Sequence, residues 1–161
     1  MGINYPRRQG YRFQDRDSNC GPFAVYNAMI WVGKKPDIYR LEGRMQCGEV
    51  YGTSNEGICR GLKYGNIFFS QKKRPKLKDI KVAIDKGMAV IYCYRYNKGM
   101  GHFVLIDGYV GEKFRVVNDV ISGVSKNIRR LRRKSYYAEK RRGDSRYPHA
   151  WFIRRKKRGN K

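Results

Sequence analysis

Asp17-Ser18-Asn19-Cys20-Gly21-Pro22-Phe23-Ala24-Val25-Tyr26-Asn27-Ala28-Met29-Ile30-Trp31-Val32-Gly33 is the stretch that decides how this chain folds. Asp17, Ser18 and Asn19 are all good helix N-caps, and Phe23, Ala24, Asn27, Ala28 and Trp31 then share one helical stripe until Gly33 ends it. Pro22 agrees, because proline is tolerated in a first helical turn and poorly further in. Cys20 therefore stands in the first turn of a predicted helix, where the partial positive charge of unpaired amides favours thiolate over thiol. That position predicts a lowered pKa and a nucleophile. The competing reading, a small buried hydrophobe, is the commoner fate of a cysteine.

Working outward, a second helix is expected after Gly57 through Ile58, Gly61 and Leu62, stopping at Gly65. A third follows Pro75, with Leu77, Ile80, Ala83 and Ile84 at helical spacing up to Gly87. Met88-Ala89-Val90-Ile91-Tyr92-Cys93-Tyr94 is a continuous apolar run of central-strand character. A glycine-rich loop then delivers the chain into a second strand, His102-Phe103-Val104-Leu105-Ile106. Gly111-Glu112 reads as a turn, Lys113 to Val117 as a returning strand, and Ala150 to Ile153 as a closing strand. Helices first and strands later argue an α+β domain rather than alternating βαβ units. The expected organisation is a basic arm over 1–13, one domain over 14–153 and a basic tail over 154–161, with residues 42–54 and 96–99 as loops walling a pocket.

The chain has 161 residues, 40% of them hydrophobic, which suits a single core and excludes a wholly disordered protein. Against 13 acidic residues stand 37 basic ones, a formal net charge of +24. Such a chain repels itself unless it lives beside a polyanion, so nucleic acid or an acidic protein surface is the expected partner. No apolar stretch approaches a membrane span and the arginine-bearing start is not a secretory signal, so the expected location is intracellular, or a virion for a viral chain. Cys20, Cys47, Cys59 and Cys93 make no C-x-x-C pair, so neither a metal site nor any cofactor is expected.

His102 opens a strand directly after the glycine-rich loop, where an imidazole can be both anchored and exposed. Asp119 ends the next strand, so an antiparallel turn could bring its carboxylate beside that ring. Gln14 supplies an amide donor six residues before Cys20. A thiolate to attack a carbonyl, an imidazole to exchange protons, a carboxylate to orient it and an amide for the oxyanion are complementary parts. Asn118 is the alternative for the third part. Asp107, on the same strand as His102, reads as structural, and His149 as a surface or strand-edge histidine.

At these residues the sequence resembles the papain-like, bacteriocin-processing (double-glycine) peptidases and their freestanding relatives. The resemblance rests on Gln14, on Asn19-Cys20-Gly21-Pro22-Phe23-Ala24, on Gly57, and on Gly87-Met88-Ala89-Val90-Ile91. It continues through Gly101-His102-Phe103-Val104-Leu105-Ile106-Asp107-Gly108-Tyr109 and Val117-Asn118-Asp119. It implies a papain-like fold in which the helix bearing the nucleophile packs on an antiparallel sheet. Cys20 would be the nucleophile, His102 its base, Asp119 the orienting acid and Gln14 part of the oxyanion hole of a cysteine peptidase acting on a peptide or protein. The family commonly has an acidic residue where Asn19 stands and a proline where Val120 stands.

The last 41 residues hold 16 of the 37 basic ones, with only Glu139 and Asp144 as acids. Residues 127–142 read as a basic helix, and Lys72-Lys73-Arg74 as a solvated helix entry. Arg129, Arg130, Arg132, Arg133 and Lys134, with Arg154, Arg155, Lys156, Lys157 and Arg158, exceed what solvation needs and are the candidate nucleic-acid contacts, with Tyr136, Tyr137 and Tyr147 among them for stacking. Three functions compete: a peptidase held to a polyanion by its basic surface; a non-catalytic structural protein of a virion or ribonucleoprotein assembly built on a peptidase-like fold; and an acyl- or amide-transferring enzyme sharing the acyl-enzyme step.

Overall fold

The computed structural model describes residues 10–97, 100–111, 113–119, 123–127 and 148–156; the side chains of 95–97, 100, 113, 119 and 123–127 lie outside that description. The basic helix expected over 127–142 lies outside the described residues, apart from Asn127, which ends a strand.

Helix α1 (Cys20–Trp31) is apolar nearly all round, and ten of its twelve residues are buried. A helix with no polar face must be enclosed. It packs chiefly on the sheet strand β3 (Met100–Val110), with α2 (Ile38–Met45) and α3 (Asn55–Tyr64) on its other flanks. Gly33 turns the chain out of α1 with a φ of 89°, a conformation glycine adopts at no cost. Asn19 occupies the N-cap position, yet its side chain makes no cap bond.

The strands β1 (Phe68–Lys73), β2 (Ala89–Asn97), β3, β4 (Lys113–Asp119), β5 (Gly123–Asn127) and β6 (His149–Arg154) form one antiparallel sheet in the order β1-β6-β2-β3-β4-β5. Its two faces follow the alternation of side chains along each strand. Ile91, Cys93, Phe103, Leu105, Trp151 and Ile153 face α1 to α3. Val90, Tyr92, Tyr94, Val104, Ile106 and Phe114 form a second core closed by α4 (Leu77–Asp85). Burial on both faces explains why the central strands read as unbroken apolar runs.

Five elements depart from the sequence reading: β5 forms where no strand is expected, β2 runs through Asn97 into the expected 96–99 loop, and α2, α3 and β1 also differ. Helix α2 covers the first part of the expected 42–54 loop, with Asp37 capping it through the amides of Tyr39 and Arg40. Helix α3 begins two residues before Gly57, capped by the Ser54 hydroxyl on the Gly57 amide at 3.0 Å. Lys72 and Lys73 belong to strand β1 rather than to a helix entry, and Lys72 Nζ reaches Asp79 at 3.0 Å. The closing strand is where the sequence puts it, and runs on through Arg154.

Asp107 is fully buried and accepts from Arg115 Nε at 2.6 Å and from the Tyr11 hydroxyl at 2.8 Å. It therefore pins the start of the described chain to the sheet, the structural role its position suggests. His149 is not a surface residue. It is buried in β6, its ring centred 4.4 Å from that of Trp151 and its Nε2 3.2 Å from Gln71 Oε1. Burial and the nearby Lys73 charge lower its pKa. Among the described residues no helix is long and apolar enough to cross a membrane.

Candidate active site

Cys20 opens α1 with only 6% of its surface exposed. Burial is the largest influence on its thiol, and the nearby backbone amides of Phe103, Gly21 and Cys20 itself act the other way and favour thiolate. Burial outweighs them and pushes the Cys20 thiol up to about 11. The sequence expectation of a lowered pKa is thus overturned, because a helix terminus acts through a few partial charges while desolvation penalises the whole anion. Cys93 lies behind it, fully buried, its own thiol raised by burial and by the neighbouring Cys20. All four cysteines are free.

The Phe103 amide that meets Cys20 belongs to the peptide bond formed with His102. The thiol and the backbone of His102 are thereby brought to one place across the α1/β3 contact. Contrary to the expectation of an exposed imidazole at a strand's opening, His102 is 3% exposed and lies two residues inside β3, its ring enclosed edge-on to that of Tyr94 with centroids 5.6 Å apart. Its Nε2 lies 2.8 Å from the backbone carbonyl of Asn118. A carbonyl oxygen only accepts, so Nε2 carries a proton, and in the neutral ring Nδ1 is then the basic nitrogen.

Asn118 does more than the sequence suggests. It is buried, with a φ of 67°, in the left-handed region that asparagine tolerates better than most residues. Its Oδ1 accepts from the Gln14 backbone N–H at 2.9 Å, and its Nδ2 donates to Gln14 Oε1 at 2.9 Å. One residue thus holds the imidazole with its main chain and Gln14 with its side chain. Gln14 Nε2 also donates to the Arg16 carbonyl at 3.1 Å. Asp119 ends β4 beside Asn118, and its side chain lies outside the description.

A polar collar surrounds the N-terminus of α1. Asn19 Nδ2 donates to Asp15 Oδ1 at 2.6 Å and to Glu42 Oε1 at 3.0 Å, while its Oδ1 accepts from the Arg16 amide at 3.3 Å. Residues 46–54 fold back through the paired backbones of Gly48 and Gly52, and Cys47 Sγ donates to the Ser18 carbonyl at 3.4 Å. A Cβ on Gly21 would stand 2.6 Å from Thr53, so this segment lies directly on the first turn of α1. Among the described residues no three His, Cys, Asp or Glu side chains converge as a metal ion would require.

The fold has solved counterparts. The peptidase domain of Streptococcus ComA, a bi-functional ABC transporter involved in a quorum-sensing pathway, superposes with a TM-score of 0.68 at 15% identity over 89% of this chain and 96% of that one. The fold is that of the bacteriocin-processing, papain-like peptidases. A putative C39-like peptidase from Bacillus anthracis gives 0.65 at 10% identity over 92% and 96%, respectively. A double-glycine-motif protease from an AMS/PCAT transporter, solved with a leader peptide, gives 0.63 at 11% over 94% and 96%. No family model and no curated protein matches the sequence. The likeness thus lies in how the backbone runs rather than in residue identities.

Of the candidate nucleic-acid contacts, Arg154 is exposed at the end of β6, Arg155 stacks on Trp31 at 4.1 Å, and Lys156 sits 5.9 Å from the Phe68 ring centroid. Arg129, Arg130, Arg132, Arg133, Lys134, Lys157 and Arg158 lie outside the described residues, as do Tyr136, Tyr137 and Tyr147.

Proposed function

We propose that the protein is a cysteine peptidase that hydrolyses a peptide bond with Cys20 as nucleophile and His102 as base, and that its basic surface holds it to a polyanion. The supporting observation is the packing of α1, which Cys20 opens, on β3, which carries His102, with the Phe103 amide next to His102 close enough to act on the Cys20 thiol. That a similar fold binds a leader peptide supports a peptide substrate.

In this reading Cys20 rests as a thiol, and its proton passes to His102 Nδ1 as Sγ bonds to the substrate carbonyl carbon. The oxyanion takes the Cys20 amide and the remaining N–H of Gln14. The imidazolium then returns the proton to the leaving amine, and a water deprotonated by His102 cleaves the thioester. The Asn118 carbonyl steadies the proton on Nε2, and Asp119 adds the negative charge that stabilises the imidazolium.

One observation favours a second reading, a structural protein of a virion or ribonucleoprotein assembly on the same fold: burial keeps Cys20 protonated to about 11. Digestion of a mixed peptide pool, followed by mass spectrometry, separates the two. A peptidase cleaves, Cys20→Ala and His102→Ala abolish the cleavage, and Asp119→Asn keeps a trace. A folded protein that cleaves nothing is the scaffold. Products carrying an added amine would mark a transferase instead.

A further inference from the structure

On the outward side of the helical layer, α2 and the end of α3 border an open surface cavity of about 460 Å³ lined by the exposed Arg40, Gly43, Arg44 and Tyr64. Arg40, Gly43 and Arg44 are spaced to share one face of α2. Leu41 and Met45 turn into the core, and Glu42 turns onto Asn19 beside Cys20. The catalytic candidates and this cavity therefore use different faces of α2.

The chemistry of the lining is specific. Tyr64 is 41% exposed, and the Arg44 guanidinium lies 5.3 Å from its ring centroid. Arg40 has an exposed partner in Asp37 at 3.6 Å, while Arg44 has no acidic partner among the described residues. Four residues beyond Tyr64 the pattern repeats, with Phe68 53% exposed under Lys156. Cations held over open aromatic rings combine a phosphate contact with a flat stacking surface.

We infer that this cavity binds single-stranded nucleic acid, one base stacking on Tyr64 while Arg40 and Arg44 hold the flanking phosphates. The inference rests on the reading that the basic surface serves a polyanion, and gives that reading a site. An acidic peptide would use the arginines but has no need of the rings. A duplex keeps its bases stacked within itself and cannot offer one to Tyr64.

The test is fluorescence anisotropy of the full chain with a labelled oligothymidylate of about a dozen nucleotides at low salt, beside an abasic strand of equal length, a duplex and poly-glutamate. Tyr64→Leu should weaken oligothymidylate roughly 5-fold or more and leave the abasic strand unchanged. Arg44→Gln should flatten the log–log salt dependence by about 0.7, the share of one phosphate on a single strand. Gly43→Leu fills the cavity at a position where an added Cβ meets nothing within 4 Å, so it should fold and yet weaken both strands. If all three variants melt and bind as the parent does, the cavity is not the site, and the polyanion reading survives through the basic tail. Binding to poly-glutamate alone overturns the inference. Binding to none of the four overturns it and the polyanion reading together.

Discussion

The backbone carbonyl of Asn118 holds Nε2 of His102 at 2.8 Å, while the side chain of the same asparagine holds Gln14 through two bonds of 2.9 Å each. The imidazole and the amide assigned to the oxyanion hole, 88 positions apart in the chain, are therefore fixed by one residue. Its left-handed backbone turns the carbonyl towards the histidine, and its side chain closes a ring of bonds with Gln14.

Asn118→Ala removes both side-chain bonds and forces alanine into a φ of 67°. Two net hydrogen bonds and one left-handed residue together predict a loss of about 2–4 kcal/mol in urea unfolding. Asn118→Gly removes the same bonds but tolerates the backbone, so it should cost roughly 1 kcal/mol less than alanine. Equal losses in the two variants would show that the conformation of residue 118 carries no strain.

Two glycines predict opposite signs. A Cβ on Gly57 would stand 2.6 Å from Thr53 Cγ2 and 2.8 Å from the Met45 carbonyl, which is backbone and cannot swing away. Gly57→Ala should cost about 1–3 kcal/mol by prising α2 from α3. Gly43, helical and open, should gain about 0.5–1 kcal/mol on change to alanine. Thermal melts of the two variants check this pair directly.

Cys20 links stability to pH. Folded, its thiol holds its proton to about 11; its ordinary value is 9.0. Between the two the unfolded chain gives up a proton that the folded chain keeps. Stability is therefore full below the unfolded value and falls as pH rises through the interval, by about 3 kcal/mol. Cys93, also raised, contributes in the same direction. Cys20→Ala should flatten the fall while lowering stability at neutral pH slightly. A parent protein whose stability is level across that interval would show that the sulfur is hydrated.

What the sequence carried and what it hid follow from the same physics. Helix α1 and strands β2 and β3 are legible because they are enclosed and therefore apolar; Cys20 stands at the start of α1 as its position suggests, whereas His102 lies two residues inside β3, which begins at Met100. Strand β1 was hidden because it is a sheet edge, where exposed Lys72 and Lys73 read as solvated charge. Helix α2 is only eight residues long, although Asp37 as a cap and Ile38, Leu41 and Met45 at helical spacing did signal it. The part played by Asn118 was only half visible. Asparagine beside Asp119 suggested an orienting side chain, whereas the bond to His102 comes from a main-chain carbonyl, which no residue type announces. The pKa of Cys20 is not legible in the sequence, because a helix terminus is visible there and the burial supplied by the surrounding chain is not.

The central claim is that Cys20 is a nucleophile served by His102, and the most direct measurement is the intact mass of the chain after brief exposure to a peptidyl p-nitrophenyl ester and an acid quench. One acyl group should map to Cys20, despite its 6% exposure. That adduct should be absent in Cys20→Ala and form about 100-fold or more slowly in His102→Ala. Acylation confined to the more accessible Cys47 or Cys59, or proceeding at Cys20 at the same rate without His102, would contradict it.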